Sequence, residues 1–396
     1  MVLTSIRDHS SPEHIDIEGH CRRVGAIANL IAHHLFLSTE EKDLLNSACL
    51  LHHDAGSHAP ADVRPVLAAL GKPGLGNPLH RKLGAILRLS DAFDCEYRTQ
   101  PLQHRGATEI LDSLRSGVER GMWPRPILDA LRECTRPQLM PQPSEWQVPV
   151  FPQAALQTLD ALRDPRASIP HVVDAARRDP ATAGAIVQLA NSALYIPHGE
   201  ASTLSMAVAR LGFETARKVV ASLAMRPLLF LPKMETLWPH SIEVADLAEQ
   251  LANRAAGIDP GEAYLAGLLH DIGRVALRAT TLYDAARLRG LEQSGCPAVY
   301  AEDLILRTDH AALGGQIAAM WRLPGHLARA IRQHHHPETA TGRIAHILYL
   351  AEYLTGSQED LPSQPRLELA LRGSGLTGDA LHKCVRSEVG SWLAAA

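Results

Sequence analysis

The stretch Ala266-Gly267-Leu268-Leu269-His270-Asp271-Ile272-Gly273 decides how the chain reads. An apolar, helix-forming run delivers a histidine and a carboxylate side by side and then stops on glycine. An imidazole and a carboxylate buried at the end of an apolar helix each need a partner, because an unpaired buried charge is costly. Divalent metals accept such mixed nitrogen and oxygen donors. A His–Asp hydrogen-bonded pair that braces the core meets the same need. From this stretch alone both readings stay open.

Working outward, the same pattern occurs a second time, nearer the N-terminus. Ala48-Cys49-Leu50-Leu51-His52-His53-Asp54-Ala55-Gly56 is again an apolar helix running into His-Asp-x-Gly. His20 opens an amphipathic helix before it, and Ile86-Leu87-Arg88-Leu89-Ser90-Asp91-Ala92-Phe93-Asp94 places a carboxylate on a third apolar helix. A histidine, a doublet and a distant aspartate on three helices make a four-ligand set for one metal: His20, His53, Asp54 and Asp91. Two neighbouring surface histidines at 52 and 53 would match the pattern by accident.

Composition narrows the class. The 396 residues exceed one compact core and suggest two or three domains. With 46% hydrophobic and 21% charged residues and no membrane-length apolar run, a soluble cytoplasmic protein is expected. The start, Met1-Val2-Leu3-Thr4-Ser5-Ile6-Arg7-Asp8-His9, lacks the basic-then-apolar design of a signal peptide. A net charge of -4 without a basic block argues against a nucleic-acid footprint. Six scattered cysteines form no CxxC pair, which suits a reducing compartment. The 21 histidines are the outlier, since histidine ligates metals and titrates near neutrality.

Apolar residues recur at spacings of three and four almost everywhere, so the fold is expected to be all-α. Pro137, Pro141, Pro143, Pro149 and Pro152 mark a break between two halves. The expected division is a helical domain over 1–136, a linker over 137–149, a second domain over 150–356 in two parts (150–230 and 231–356), and a helical tail over 357–396.

Two resemblances follow from these motifs. The N-terminal set, with Asp91-Ala92-Phe93-Asp94 and Tyr97-Arg98, resembles the HD superfamily of metal-dependent phosphohydrolases, and within it the HD-GYP branch. It departs from that branch in the short linker between Asp54 and Asp91, where the paired histidines and the Gly-Tyr-Pro loop are missing. The second half resembles the HDOD domain, an HD-related output domain of bacterial signalling proteins. The residues that carry this are Arg178-Asp179-Pro180, Leu189-Ala190-Asn191-Ser192-Ala193, Met206-Ala207-Val208-Ala209-Arg210-Leu211-Gly212, Trp238-Pro239-His240-Ser241 and the central His270-Asp271. Further on, Asp309-His310, His334-His335-His336-Pro337 and Ile347 to Glu352 complete it.

The resemblance implies two HD-type helical domains in tandem. It also implies a ligand set of His240, His270, Asp271, His310, His334, His335 and Glu352, enough for two divalent ions (Fe, Mn, Zn or Mg) sharing Asp271. Glu352 stands where catalytic relatives have aspartate, and Arg274 stands where they have lysine. Pro337-Glu338-Thr339-Ala340 replaces their Gly-Tyr-Pro loop. Two functions stay open. One is a regulatory module that signals through other signalling proteins. The other is a metal-dependent phosphodiesterase or phosphohydrolase acting on a cyclic dinucleotide or nucleotide, with Asp271 and Arg274 in its catalytic centre. A nucleotide second messenger and a homodimer are open partners, and no membrane is expected.

Overall fold

The computed structural model describes residues 17–53, 59–98, 106–136, 166, 168–177, 180–192, 194–195, 201–229, 236–279, 285–293, 296–356, 364–381 and 383–384. Among these every regular element is a helix, as the periodicity predicts. The proline-rich stretch 137–149 lies outside the described residues. No helix among the described residues is long and apolar enough to cross a membrane.

In chain order the helices are α1 (Ile17–His34), α2 (Thr39–Leu51), α3 (Arg64–Gly71), α4 (Pro78–Arg98), α5 (Ala107–Ser113), α6 (Arg115–Glu119) and α7 (Arg125–Cys134). Next come α8 (Ile169–Ala176), α9 (Pro180–Ala190), α10 (Leu204–Leu229), α11 (Leu237–Ala252), α12 (Pro260–Leu269) and α13 (Gly273–Ala279). The chain continues with α14 (Ala285–Gln293), α15 (Ala298–Leu306), α16 (His310–Met320), α17 (Gly325–Arg332), α18 (Arg343–Thr355), α19 (Gln364–Ser374) and α20 (Gly378–Leu381).

The chain divides into two compact units. Unit 1 comprises 1–140, 282–309 and 358–363; unit 2 comprises 141–281, 310–357 and 364–396. The sequence reading placed 150–356 in one domain, whereas 282–309 is assigned to unit 1. Aromatic packing explains that assignment: the Tyr300 ring of α15 meets Tyr97 at 4.3 Å and Phe93 at 6.3 Å between centroids, both edge-on. The Ala107 N–H also donates to Asp303 at 2.9 Å.

Within unit 1, α1 packs along α2 and α4, and Ile27, Ile31, Leu45, Leu83, Ile86 and Phe93 are fully buried. Burying one such side chain contributes about 1.5–3 kcal/mol. Ser38 and Glu41 close a reciprocal capping box that sets where α2 begins.

Within unit 2, α11 lies against α12 and α18, and α13 lies against α16. Asp259 caps α12 by accepting from Gly261 N at 2.7 Å and Glu262 N at 3.2 Å. Two glycines permit the close approaches. A Cβ on Gly267 would sit 2.7 Å from Ala245 Cα, so α11 and α12 touch backbone to backbone. A Cβ on Gly273 would run into the carbonyl oxygen of His310 and come within 2.7 Å of Gly314 N. The glycine of the central stretch is thus what lets His270-Asp271 press against the start of α16.

Candidate metal centre

The five helices of unit 2 that carry the predicted ligands, in them or at their ends, bring them together. His240 sits in the first turn of α11, His270 caps the end of α12, and Asp271 follows it. His310 opens α16, His334 and His335 follow α17, and Glu352 lies in the last turn of α18. All seven side chains fall into two groups, each with one ligand atom per residue within 4.8 Å of the others. Asp271, His310, His334 and His335 form one; His240, His270 and Glu352 form the other.

Asp271 faces both groups with different oxygens. Its Oδ1 lies 3.0 Å from His310 Nε2, and its Oδ2 lies 3.5 Å from His270 Nε2 and 4.0 Å from His240 Nε2. Glu352 Oε1 lies 2.6 Å from His270 Nε2 and 2.9 Å from His240 Nε2. His310 Nε2 and His335 Nε2 are 2.9 Å apart.

Backbone contacts settle which ring nitrogens carry protons. His270 Nδ1 is 2.6 Å from Gly267 O and His334 Nδ1 is 2.7 Å from Ile331 O. A carbonyl oxygen only accepts, so both Nδ1 atoms donate, and in the neutral rings both Nε2 atoms present lone pairs to the pocket. His270 Nε2, His334 Nε2 and Glu352 Oε2 have no hydrogen-bond partner with acceptable geometry, although His270 Nε2 and Glu352 Oε1 are close. Each group thus holds buried acceptor atoms close to its other ligands but without a hydrogen-bond partner, which is what a bound cation requires.

The electrostatics agree. Burial and the neighbouring imidazoles His270 and His310 push His334 down to about 3, and burial with His334 and His310 pushes His335 well down too. Both rings are therefore neutral donors at pH 7. Burial alone would raise Asp271, but Arg274, His270 and His310 hold it well below the usual carboxylate range. Burial works the same way on Glu352, and His270 and His240 overcome it. Burial would lower His270, yet Asp271 and Glu352 raise it, so a proton competes with a metal at this ring.

The residues present fit a divalent ion. Five imidazoles and two carboxylates suit Fe, Mn or Zn better than Mg, which prefers an all-oxygen shell. Arg274 Nε donates to Asp271 Oδ2 at 2.9 Å, so the guanidinium holds the oxygen that faces the smaller group. The sequence reading missed a further support. Arg366 of α19 donates to the carbonyl oxygen of His335 and pairs with Glu338 at 3.2 Å, which fixes the turn after the histidine doublet. Nothing local in the sequence links position 366 to that turn.

In unit 1 the outcome differs from the expected set. His20, His52, His53 and Asp91 converge within 4.8 Å. Asp54 lies outside the described residues. His52 rather than His53 caps the helix end, because α2 stops at Leu51. Asp94, one turn beyond Asp91, accepts from His20 Nδ1 at 2.6 Å and pairs in two-pronged fashion with buried Arg23 at 2.9 and 3.1 Å.

The family model of the HDOD domain matches residues 148–337. The chain carries an HDOD domain. An HDOD domain protein of unknown function from Geobacter sulfurreducens is 25% identical, with a TM-score of 0.51 over 63% of this chain and 89% of that one. A protein designated for signal transduction, from Marinobacter aquaeolei VT8, shares the fold at 21% identity and a TM-score of 0.52, over 72% of this chain and 63% of its own. An uncharacterized protein of Treponema pallidum is 25% identical over 195 residues, 48% of this chain; the chain spans 37% of that relative's length. The HDOD match begins at residue 148 and so leaves out the His20 cluster.

Proposed function

We propose that this is a bacterial, cytoplasmic signalling protein whose HDOD domain is a metal-retaining regulatory module, working through contacts with other signalling proteins and not by turnover. The observation that carries the reading is the closure of the pocket around its ligands. His270, Asp271, His310, His334 and His335 are at most 1% exposed and Glu352 is 5% exposed, while His240 at 20% and Arg274 at 18% reach solvent further. A catalytic metal keeps a coordination position open to water and substrate, whereas a structural one is enclosed by protein. Arg274 already occupies Oδ2 of Asp271, the oxygen that faces His270 and His240.

A second reading is favoured by the completeness of the ligand set and by the two-faced Asp271. In it the same histidines hold a metal pair for hydrolysis of a phosphodiester, such as a cyclic dinucleotide. A bound divalent pair would supply Lewis acidity and an activated water. Arg274 would then orient a phosphate, since guanidinium matches its geometry but cannot be deprotonated.

One experiment separates the two. Metal content is measured on purified wild type and Asp271→Ala, and both are assayed with cyclic dinucleotides and a generic phosphodiester in added manganese. The module reading expects bound metal in the wild type, its loss in the variant, and no turnover by either. Turnover abolished by Asp271→Ala would establish the enzyme, and a folded wild type that takes up no metal would remove the metal from both readings.

A further inference from the structure

Helix α19 lies beyond the HDOD match, which ends at residue 337, and packs on α18. Its buried residues are Arg366, Ala370 and Ser374, a stripe of polar and small side chains at helical spacing. Leu367, Leu369 and Leu371 stay only half-buried. A helix docked on such a face is held by a few directed bonds and little apolar burial, so it opens more readily than the core behind it. Those bonds grip both of its ends. Arg366 donates to His335 O and pairs with Glu338 at 3.2 Å, and Arg343 Nη2 of α18 donates to Ser374 O at 2.6 Å. Between the grips, Gly373 lies on the ring of His346, where a Cβ would run into the imidazole.

We infer that α19 is a proton-sensitive latch: docked, it holds the turn that carries His334 and His335 in place, and a proton on His346 releases it. The inference rests on the reading of unit 2 as a metal site.

His346 is 7% exposed, and its Nδ1 is buried without a hydrogen-bond partner. A charged imidazole carries N–H on both nitrogens, so the Nδ1–H of the protonated ring would have no acceptor. Arg343, one turn back on α18, and Arg372, beside Gly373 on α19, are both cations and offer a further positive charge nothing. Burial alone lowers His346 from its ordinary value of 6.5; among the described residues no charged group of α11, α12, α17, α18 or α19 acts on it. The docked ring therefore favours the neutral form. Docking has its full strength above about pH 6.5 and weakens as pH falls below the undocked value. Burial would raise Glu338, yet His336 and Arg366 hold it at about 2, so the Arg366 grip stays charged over the same range. Once α19 lets go, His335 O loses its donor and the turn after the doublet loses its support.

The test uses the full chain, with hydrogen–deuterium exchange read over 364–376 and 333–341 at pH 7.5 and 5.5 and corrected for intrinsic exchange. The variants are His346→Leu and His346→Gln, which cannot be charged, and Arg366→Ala, which removes the grip on His335 O. Wild type should lose up to about tenfold of its protection in both segments at pH 5.5, the ratio that one unit below 6.5 allows. His346→Leu should keep its protection there, and His346→Gln makes the same measurement if the leucine variant does not fold. Arg366→Ala should lose protection over 333–341 at both pH values and release Zn²⁺ to a chelator faster than wild type. Wild-type protection that ignores pH, or that falls as far in the folded His346 variants, overturns the latch. A protein that takes up no Zn²⁺ yet exchanges as expected keeps the latch and loses the metal reading.

Discussion

The two units end an apolar helix on histidine in the same way and differ in the residue that comes next. In unit 1 the Nδ1 of His52 meets the carbonyl three residues back at 2.6 Å; in unit 2 His270 does the same, at the same distance. The ring of the preceding helix's histidine stands 5.2 Å away in both, His20 in one and His240 in the other. A carboxylate from a later helix, Asp91 or Glu352, completes each trio. The next residue is His53 in unit 1 and Asp271 in unit 2. A carboxylate has two oxygens and can face two ions, whereas an imidazole turns one nitrogen to a pocket. A second ion in unit 2 therefore needs both a two-oxygen side chain at position 271 and the histidines His310, His334 and His335 beside its other oxygen.

The largest expected effect lies in the support of unit 1. Asp94→Ala leaves Arg23 buried without its partner and should cost roughly 3–5 kcal/mol in denaturant unfolding. A loss below about 1 kcal/mol would mean that the chain behind His20 is not structural. Unit 2 offers a matched break in Glu338→Gln. His336 and Arg366 hold Glu338 down to about 2 against the opposing effect of burial, from an ordinary value of 4.5. A depressed carboxyl stabilises above its unfolded pKa and loses that contribution as pH falls through the folded one. The variant should thus be less stable by on the order of 3 kcal/mol at pH 7, with the gap closing between about pH 4.5 and 2. A gap independent of pH would rule out the ion pairs as its source.

Gly273→Ala sharpens the comparison by pushing α13 off α16. It should cost about 1–3 kcal/mol and weaken metal uptake in unit 2 while sparing unit 1. Equal metal loss in both units would show that they are not separable. The smallest effect is expected from His53→Asp, which gives unit 1 the doublet of unit 2. With no counterparts of His310, His334 and His335, it should still bind one ion and shift stability by no more than about 0.5 kcal/mol. Uptake of a second ion there would contradict the account of what sets the number.

The helical class, and the convergence of His240, His270, Asp271, His310, His334, His335 and Glu352, were legible in the sequence. Periodicity gave the helices, and the motifs shared with the HDOD domain gave the ligand set that those helices and their ends carry. The choice between His52 and His53 was not legible. It depends on α2 stopping at Leu51, with His52 at its C-cap, in a motif that reads equally well one step later. Arg366 and the 282–309 segment escaped for another reason. Their partners, His335 with Glu338 and Phe93 with Tyr97, are distant in sequence, and no local pattern encodes the contact.

The most direct test is anomalous X-ray scattering from crystals of the full chain loaded with Zn²⁺, recorded on both sides of the zinc edge. The account predicts one peak among Asp271, His310, His334 and His335, a second among His240, His270 and Glu352, and a single peak between His20, His52, His53 and Asp91. Well-ordered histidines in unit 2 with no anomalous peak among them would contradict it.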